Sequence, residues 1–305
     1  MSRSSTRIAQ NFKRTGLLTA IAVIAVALAC VPAWTQQAAS AATYSPEQQP
    51  KGKAFPKPEE AAAALYAAAK RNDEAELLLI LGPDAKEIVQ WSDDPTERQE
   101  RRAEFAQKYE QMHRLIKEPD HTVALYVGAE NWPLPIPLVG YHGAWYFDAE
   151  LGQQEIRYRR IGSNEMEALE VCRTLIDAEK EYRAITQHYT ATFISSGNSR
   201  DGLYWKSADD TTRSPIGPYL AHAGVSGPDT SHTQPFHGYF YRIQLDGSDA
   251  LAVVAFPAQY HSSGVMTFIV NQDGNAYEKD LGEQTATLSK QLSSSRIDNS
   301  WKQVE

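Results

Sequence analysis

Cysteine and basic residues are scarce in this sequence. Its 305 residues include two cysteines and 30 basic against 38 acidic side chains. One of the cysteines lies in an N-terminal apolar segment that we expect to be removed, so a single thiol and no internal disulfide are expected to remain. That segment carries four basic residues and no acidic one, so its removal lowers the net charge from −8 to about −12. Such an acidic surface repels phosphate backbones, and we predict no nucleic-acid binding.

Residues 1–42 have the pattern of a secretory signal peptide. Basic residues precede an uncharged apolar run, Leu17–Trp34, and small residues follow it up to a cleavage point after Ala41. Two alternatives stay open: an uncleaved anchor, because the run approaches the length of a membrane span, and lipidation of Cys30, because Ala27–Cys30 resembles a lipobox. We predict a periplasmic or secreted protein, or a protein that is lipid-anchored through Cys30, with no membrane span in the mature chain.

The next part of the chain predicts a linker over residues 43–57 and an α+β domain over 58–160. The linker is rich in proline, glutamine and lysine without any period. Helix starts follow at Pro58, Asp73 and Asp94, and the last of these helices is expected to run towards Ile116. The segments TVALYV, WPLPIPLVGYHG and AWYFDAE predict strands, and the alternate prolines of the second predict a border strand. Helices followed by a curved antiparallel sheet resemble the cone-shaped nuclear-transport-factor-two-like fold.

A second domain is predicted over residues 161–301. Its long helix is expected from Ser163 to about Ile185, followed by an irregular surface loop over 195–237. The segments GYFYRIQL, ALAVVAFPA, VMTFIV and AYEKDL then predict an antiparallel meander, with NQDGN as a hairpin turn and AYEKDL near an edge. The fold class is therefore α+β: helices plus a curved antiparallel sheet, then a long helix with an antiparallel β-meander. This second part resembles the globular head of type II pseudopilins.

A basic cluster at the predicted domain junction is the main candidate ligand site. Three arginines can clamp an anion with paired hydrogen bonds, and an amide and a carboxylate follow them. The alternative is that the arginines pair with neighbouring carboxylates and tie the two domains together. In the first domain, His142 is a candidate at the mouth of a pocket. The candidate residues are Arg157, Arg159, Arg160, Asn164, Glu165 and His142.

Motifs for catalysis or cofactors are missing from the sequence. The spacings of His222, His232, His237 and His261 match no zinc signature, and the NQDGN turn does not fit a calcium loop. Neither the glycine-flanked nucleophile GxSxG nor a Walker or dinucleotide glycine pattern is present. Cys172 shares a helix face with apolar residues, which indicates a core thiol rather than a nucleophile. We predict no cofactor and no metal.

Several segments resemble a family of bacterial envelope proteins, the domain-of-unknown-function 2950 family. They are YRRIGSNE at 158–165, RDGLYW at 200–205, SPIGPYLAHA at 214–223, HGYFYRI at 237–243 and AFPAQYHSSGVMTFIVNQDGNAYEKDLG at 255–282. The resemblance implies export and a shared architecture but names no reaction. The working hypothesis is a non-catalytic module that binds or assembles with an envelope protein or a small molecule. The alternative is a ligand-binding protein or enzyme that uses a pocket in the first domain.

Overall fold

The structure is a computed structural model, and it describes residues 51–197, 199–206, 213–224, 233–246, 250–292 and 297–304. The chain divides into two compact units, one up to Gln153 and one from Gln154. Both units combine helices with antiparallel strands, so the predicted α+β class is confirmed. The predicted signal peptide, the candidate lipidation site Cys30 and residues 43–50 of the predicted linker lie outside the described residues. In the part that is described, no helix has the length and apolar character needed to cross a membrane.

The first unit opens with helices whose starts follow the sequence signals. The Asp73 side chain accepts the N–H of Glu76 at 3.0 Å, and the Asp94 side chain accepts that of Thr96 at 2.8 Å. These bonds satisfy N–H groups that have no partner inside a helix. The helices are α1 (Pro58–Lys70), α2 (Glu74–Leu81), α3 (Lys86–Val89) and α4 (Pro95–Gln111).

The expectation that α4 reaches Ile116 is wrong. The chain becomes extended at Met112, and the next residues pair with a neighbouring strand, for example Ile116 with Ala124. Met112 and Ile116 continue the apolar spacing of α4 at three and four residues, so the sequence pattern did not show that the helix ends at Gln111. The strands of this unit are β1 (His113–Lys117), β2 (Val123–Val127), β3 (Trp132–Pro133), β4 (Leu138–Tyr141) and β5 (Ala144–Phe147).

The proline-rich segment does not form one continuous border strand: β3, which holds Pro133, pairs only with β2 among the described strands, whereas the segment after the prolines forms the inner strand β4. The described strands have the order β1-β2-β4-β5, with β3 also paired with β2, so β4 lies inside the sheet. The prolines lie in β3 and in the bend after it, where the N–H of Leu134 still donates to the carbonyl of Leu125 at 2.7 Å. Ile136 and Leu138 are buried, as their alternate spacing predicts.

The end of the predicted linker is held to the first unit through Phe55. Phe55 exchanges two backbone hydrogen bonds with Trp145 of β5, at 2.9 and 2.7 Å, and its side chain is buried. These bonds cover part of the outer edge of β5, which would otherwise expose unpaired backbone groups. The apolar Phe55 in a polar stretch was the available sequence signal.

Helix α5 (Ala149–Thr186) starts well before the predicted Ser163. Asp148 caps it, because its side chain accepts the N–H groups of Glu150 at 3.1 Å and Leu151 at 3.0 Å. Gly162 and Ser163 lie within the helix, so the domain boundary predicted after residue 160 falls inside α5. Aspartate and serine are both good caps, and local sequence alone did not choose between them.

One long sheet forms the body of the second unit, and its described strands have the order β10-β9-β8-β7-β6. One face packs on α5, through a cluster that includes Cys172, Tyr239, Tyr241 and Phe268. The other face is covered by the C-terminal segment, which contributes Trp301. The elements are α6 (Pro218–His222), β6 (Tyr239–Asp246), β7 (Ala250–Pro257), β8 (Met266–Asn271), β9 (Ala276–Asp280), α7 (Thr285–Leu288) and β10 (Lys302–Val304).

The NQDGN segment is a hairpin turn, as predicted. Gly274 has a φ of 84°, and the Asn271 side chain accepts the N–H groups of Asp273 at 3.1 Å and Asn275 at 2.9 Å. β9 lies nearer an edge of the sheet than β8, as predicted, but β10 pairs with it on the outside. Glu278 of β9 is consequently buried rather than exposed at an edge.

The predicted surface loop over residues 195–237 contributes to the core. Leu203, Ile216, Leu220 and Ala223 are all buried in the cluster beneath α5. The glycine and proline content of this segment correctly indicated irregular backbone in its described parts other than α6. It did not indicate exposure, because isolated apolar residues between turns give no periodic signal.

Candidate functional site

The predicted arginine cluster lies along α5 and its members have different surroundings. Arg157 is exposed, and Arg159 donates from Nε to Glu155 at 2.7 Å, one helical turn away. Arg160 donates to the backbone carbonyl of Ser262 at 3.2 Å. The structure therefore does not bring the three guanidinium groups to one point.

Asn164 and Glu165 hold the loop that leads into β8. The Asn164 amide donates to the carbonyl of Ser263 at 2.7 Å. One carboxylate oxygen of Glu165 accepts the N–H groups of Val265 at 2.9 Å and Met266 at 3.0 Å. Burial raises the pKa of the Glu165 carboxyl, and the two N–H donors act in the opposite direction. We call the contacts of Arg160, Asn164 and Glu165 with residues 262–266 the α5 bracket.

Backbone segments approach one another closely around the α5 bracket. A Cβ on Gly238 would lie 2.5 Å from the Asn164 amide nitrogen, and a Cβ on Gly264 would overlap the Tyr239 hydroxyl. Beside them, His237 Nδ1 pairs with Glu167. The bracket thus joins three of the sequence motifs into one packed structural element whose described polar groups bond mainly to backbone.

His142 lies in the first unit, in the turn between β4 and β5. His142 and Gly143 both have positive φ, 49° and 83°, and the side chain is exposed. The core next to this sheet is filled by apolar side chains that include Leu65, Ile80 and Phe147. His142 therefore lies at a hairpin tip, in a different unit from the arginine cluster.

An open cleft of about 430 Å³ in the second unit was not predicted from the sequence. It lies between the end of α5 and the segment that precedes α6. Its volume is within the range of about 300–1,000 Å³ that is usual for small-molecule sites. The lining residues are Glu181, Tyr204, Arg213, Ser214, Pro215, Ile216, Gly217 and Pro218.

Backbone bonds fix the walls of the cleft. The N–H of Ser195 donates to the carbonyl of Tyr204 at 2.8 Å, and that of Ile216 donates to Leu203 at 3.4 Å. The Ser214 hydroxyl donates to the carbonyl of Ile216 at 3.0 Å and so stabilises the turn before α6. Proline rings on this turn limit its backbone freedom. The cleft is therefore preformed.

The cleft is built from the motifs RDGLYW and SPIGPYLAHA, which supply Tyr204 and residues 214–218. Both motifs are visible in the sequence, and their prolines and aromatic residues were the available signal. What the sequence does not show is that they meet at the end of α5, because the contact depends on burial of Leu203 and Ile216.

Two alternatives from the sequence, a metal site and a reactive thiol, can be compared with the described residues. The described residues contain no group of three or more His, Cys, Asp or Glu side chains placed to hold a metal ion, and His232 lies outside them. Cys172 is completely buried, and burial raises the pKa of its thiol. The expectation that Cys172 is a core residue is confirmed.

Comparison with known families matches residues 52–304 to the family described as "Protein of unknown function (DUF2950)". Comparison with curated proteins and with solved structures finds no match. The resemblances to the nuclear-transport-factor-two-like and pseudopilin-head folds stay predictions. The family match includes the α5 bracket and the cleft and extends over most of the sequence. The chain therefore belongs to the DUF2950 family.

Proposed function

We propose that the protein is an exported bacterial envelope protein that acts by binding rather than by catalysis, and that it binds its ligand in the cleft of the second unit. The preformed cleft of about 430 Å³ is the observation that carries this proposal. A cleft with fixed walls loses little conformational entropy when it binds. Export is supported by the signal-like N-terminal sequence and by the family resemblance.

The polar groups of the second unit favour binding over chemistry. Asn164 and Glu165, the amide and the carboxylate of the YRRIGSNE motif, bond to backbone groups of the loop that leads into β8. Among the described residues that line the cleft there is no histidine or cysteine, the side chains that most often act as general base or activated nucleophile. The cleft offers one acidic and one basic side chain, Glu181 and Arg213, beside an apolar wall, and this combination suits ligand recognition.

The binding proposal is tested by filling the cleft. Gly217 lines it, has a φ of −84°, and an added Cβ there meets nothing within 4 Å. Gly217→Leu is therefore expected to fold normally and to occupy the ligand volume. Saturation-transfer NMR with a defined mixture of amino acids, short peptides, organic acids, phosphates and monosaccharides should show a bound component that Gly217→Leu loses.

Gly162→Leu is the matched control, because a Cβ on Gly162 also meets nothing within 4 Å and Gly162 does not line the cleft. This variant should bind as the parent protein does. Binding that survives Gly217→Leu would place the site elsewhere. Turnover of an ester, peptide or glycoside panel well above background would contradict the non-catalytic role.

Export has a separate test. Mass spectrometry of the protein recovered from cell fractions should find a mature N-terminus at Ala42 in a periplasmic or secreted fraction. A lipid-modified N-terminus at Cys30 in the membrane fraction would support the alternative of lipid anchoring. An intact N-terminus in a cytoplasmic fraction would contradict export.

A further inference from the structure

Two opposite charges line the cleft without an ion-pair partner among the described residues. Glu181 belongs to the last turns of α5, and Arg213 lies in the segment before α6. The neighbouring Lys180, by contrast, is paired with Asp177 at 3.3 Å. Both Glu181 and Arg213 are exposed, and they are not paired with each other. The cleft therefore offers one cationic and one anionic group to a ligand.

This charge pattern selects among small ligands. A guanidinium group binds a carboxylate with two parallel N–H···O bonds, and a carboxylate binds an ammonium group. A phosphate ester would be repelled by the carboxylate of Glu181, because both carry negative charge. A neutral sugar would gain neither charge-assisted contact. The pair suits a ligand that carries both charges.

The rest of the lining provides an apolar wall next to the charges. Tyr204, Pro215 and Pro218 line the cleft together with the buried Ile216. Aromatic and proline rings give contact area while losing few rotamers. Such a wall fits a small apolar side chain.

We propose that the cleft binds a zwitterionic amino compound, an amino acid or a short peptide with free ends. Arg213 holds the carboxylate, Glu181 holds the ammonium group, and Tyr204 with the proline rings contacts the side chain. A volume of about 430 Å³ accommodates a ligand of this size. This inference rests on the proposed function, because it assigns a ligand class to the same cleft.

The test uses the mature protein and the dipeptide alanylphenylalanine in three forms: free, N-acetylated and C-amidated. Isothermal titration calorimetry should find the free form bound, and blocking either end should weaken binding about tenfold or more, because one charge-assisted contact is lost. In Arg213→Gln the free and amidated forms should bind equally. In Glu181→Gln the free and acetylated forms should bind equally.

Arg173→Gln is the control for these variants, since Arg173 is an exposed residue of α5 that does not line the cleft. It should keep the full preference for free ends. Equal affinity for the three forms, absence of binding by the free form, or unchanged preference in both cleft variants overturns the inference. Loss of a different bound component in Gly217→Leu would then retain the cleft as the binding site. If no component depends on Gly217, the proposed function fails as well.

Discussion

Replacing Glu179 by glutamine should remove a loss of stability that the protein undergoes as the pH rises from about 5 to about 8. Glu179 is a residue of α5 and its side chain is completely buried. One carboxylate oxygen accepts the N–H of Thr190 at 3.0 Å, and the other has no hydrogen-bond partner among the described residues. Burial raises the pKa of this carboxyl to about 7, against the opposing effect of the Thr190 N–H.

The sign and size of the effect follow from that pKa. The carboxyl has a pKa of 4.5 in the unfolded chain and about 7 in the folded one, so the folded state binds the proton more tightly. Its contribution to stability is complete below pH 4.5 and is lost as the pH rises through about 7. At about 1.4 kcal/mol per pKa unit, the loss is about 3 kcal/mol. Tyr182 and Asp201, two neighbouring titratable groups, ionise on either side of this window.

Glutamine keeps the hydrogen bond from Thr190 and cannot ionise. Its buried NH₂ group costs about 1–3 kcal/mol at every pH, so this cost cancels when the variant is compared with the parent across pH. Urea unfolding should show the stability difference between Glu179→Gln and the parent shifting by about 3 kcal/mol in favour of the variant from about pH 5 to about pH 8. Hydrogen exchange in the peptide that contains Thr190 gives a local readout.

Glu170→Gln is the control, because Glu170 is an exposed carboxylate on the same helix. Its difference from the parent should vary little across the same pH window. A stability difference for Glu179→Gln that stays constant over this window would show that Glu179 does not titrate there. The assigned burial of its charge would then be incorrect.

Two further pairs of substitutions test the local structure. Gly162→Ala should stabilise the protein by about 0.5–1 kcal/mol, because Gly162 lies inside α5 with open space at its Cβ position. Gly274→Ala should destabilise it by about 1 kcal/mol, because the φ of Gly274 is 84°. Equal effects of the two substitutions in thermal unfolding would contradict both assignments. Glu165→Ala should lower the free energy of unfolding by about 2 kcal/mol, because it leaves two N–H groups without an acceptor. Glu165→Gln should lower it less, because the amide oxygen can accept both N–H groups. Equal losses of stability for the two variants in urea unfolding would count against the α5 bracket.

Periodic and local signals predicted much of the fold. Asp73 and Asp94 marked helix starts correctly, and the NQDGN turn between two strands was recognisable from Gly274. The same local rules did not decide between Asp148 and Ser163 as the start of α5, because both residues can cap a helix. They also assigned WPLPIP to an edge, since the bend that admits its prolines depends on pairing with β2.

The candidate site was less accessible to sequence reasoning than the fold. The sequence predicted Arg157 and Arg160 at a domain junction and Asn164 at the start of a helix, whereas α5 contains all three. The bonding partners of Arg160 and Asn164 lie about a hundred residues further along the chain. Glu179 shares a helix face with Cys172, Ile176 and Tyr182, so its burial could have been predicted from the helical period. The residues that line the cleft show no comparable period in the sequence.

The sequence by itself determined the α+β class, the helix and hairpin signals, the meander of the second unit and the family resemblance, because these depend on local propensity and short-range periodicity. The tertiary structure decided which polar residues brace the backbone and which line an open cleft. Asn164 and Glu165 bond to the loop before β8, whereas Glu181 and Arg213 face a common volume. Those outcomes depend on contacts between distant segments, which form only when the core beneath α5 packs.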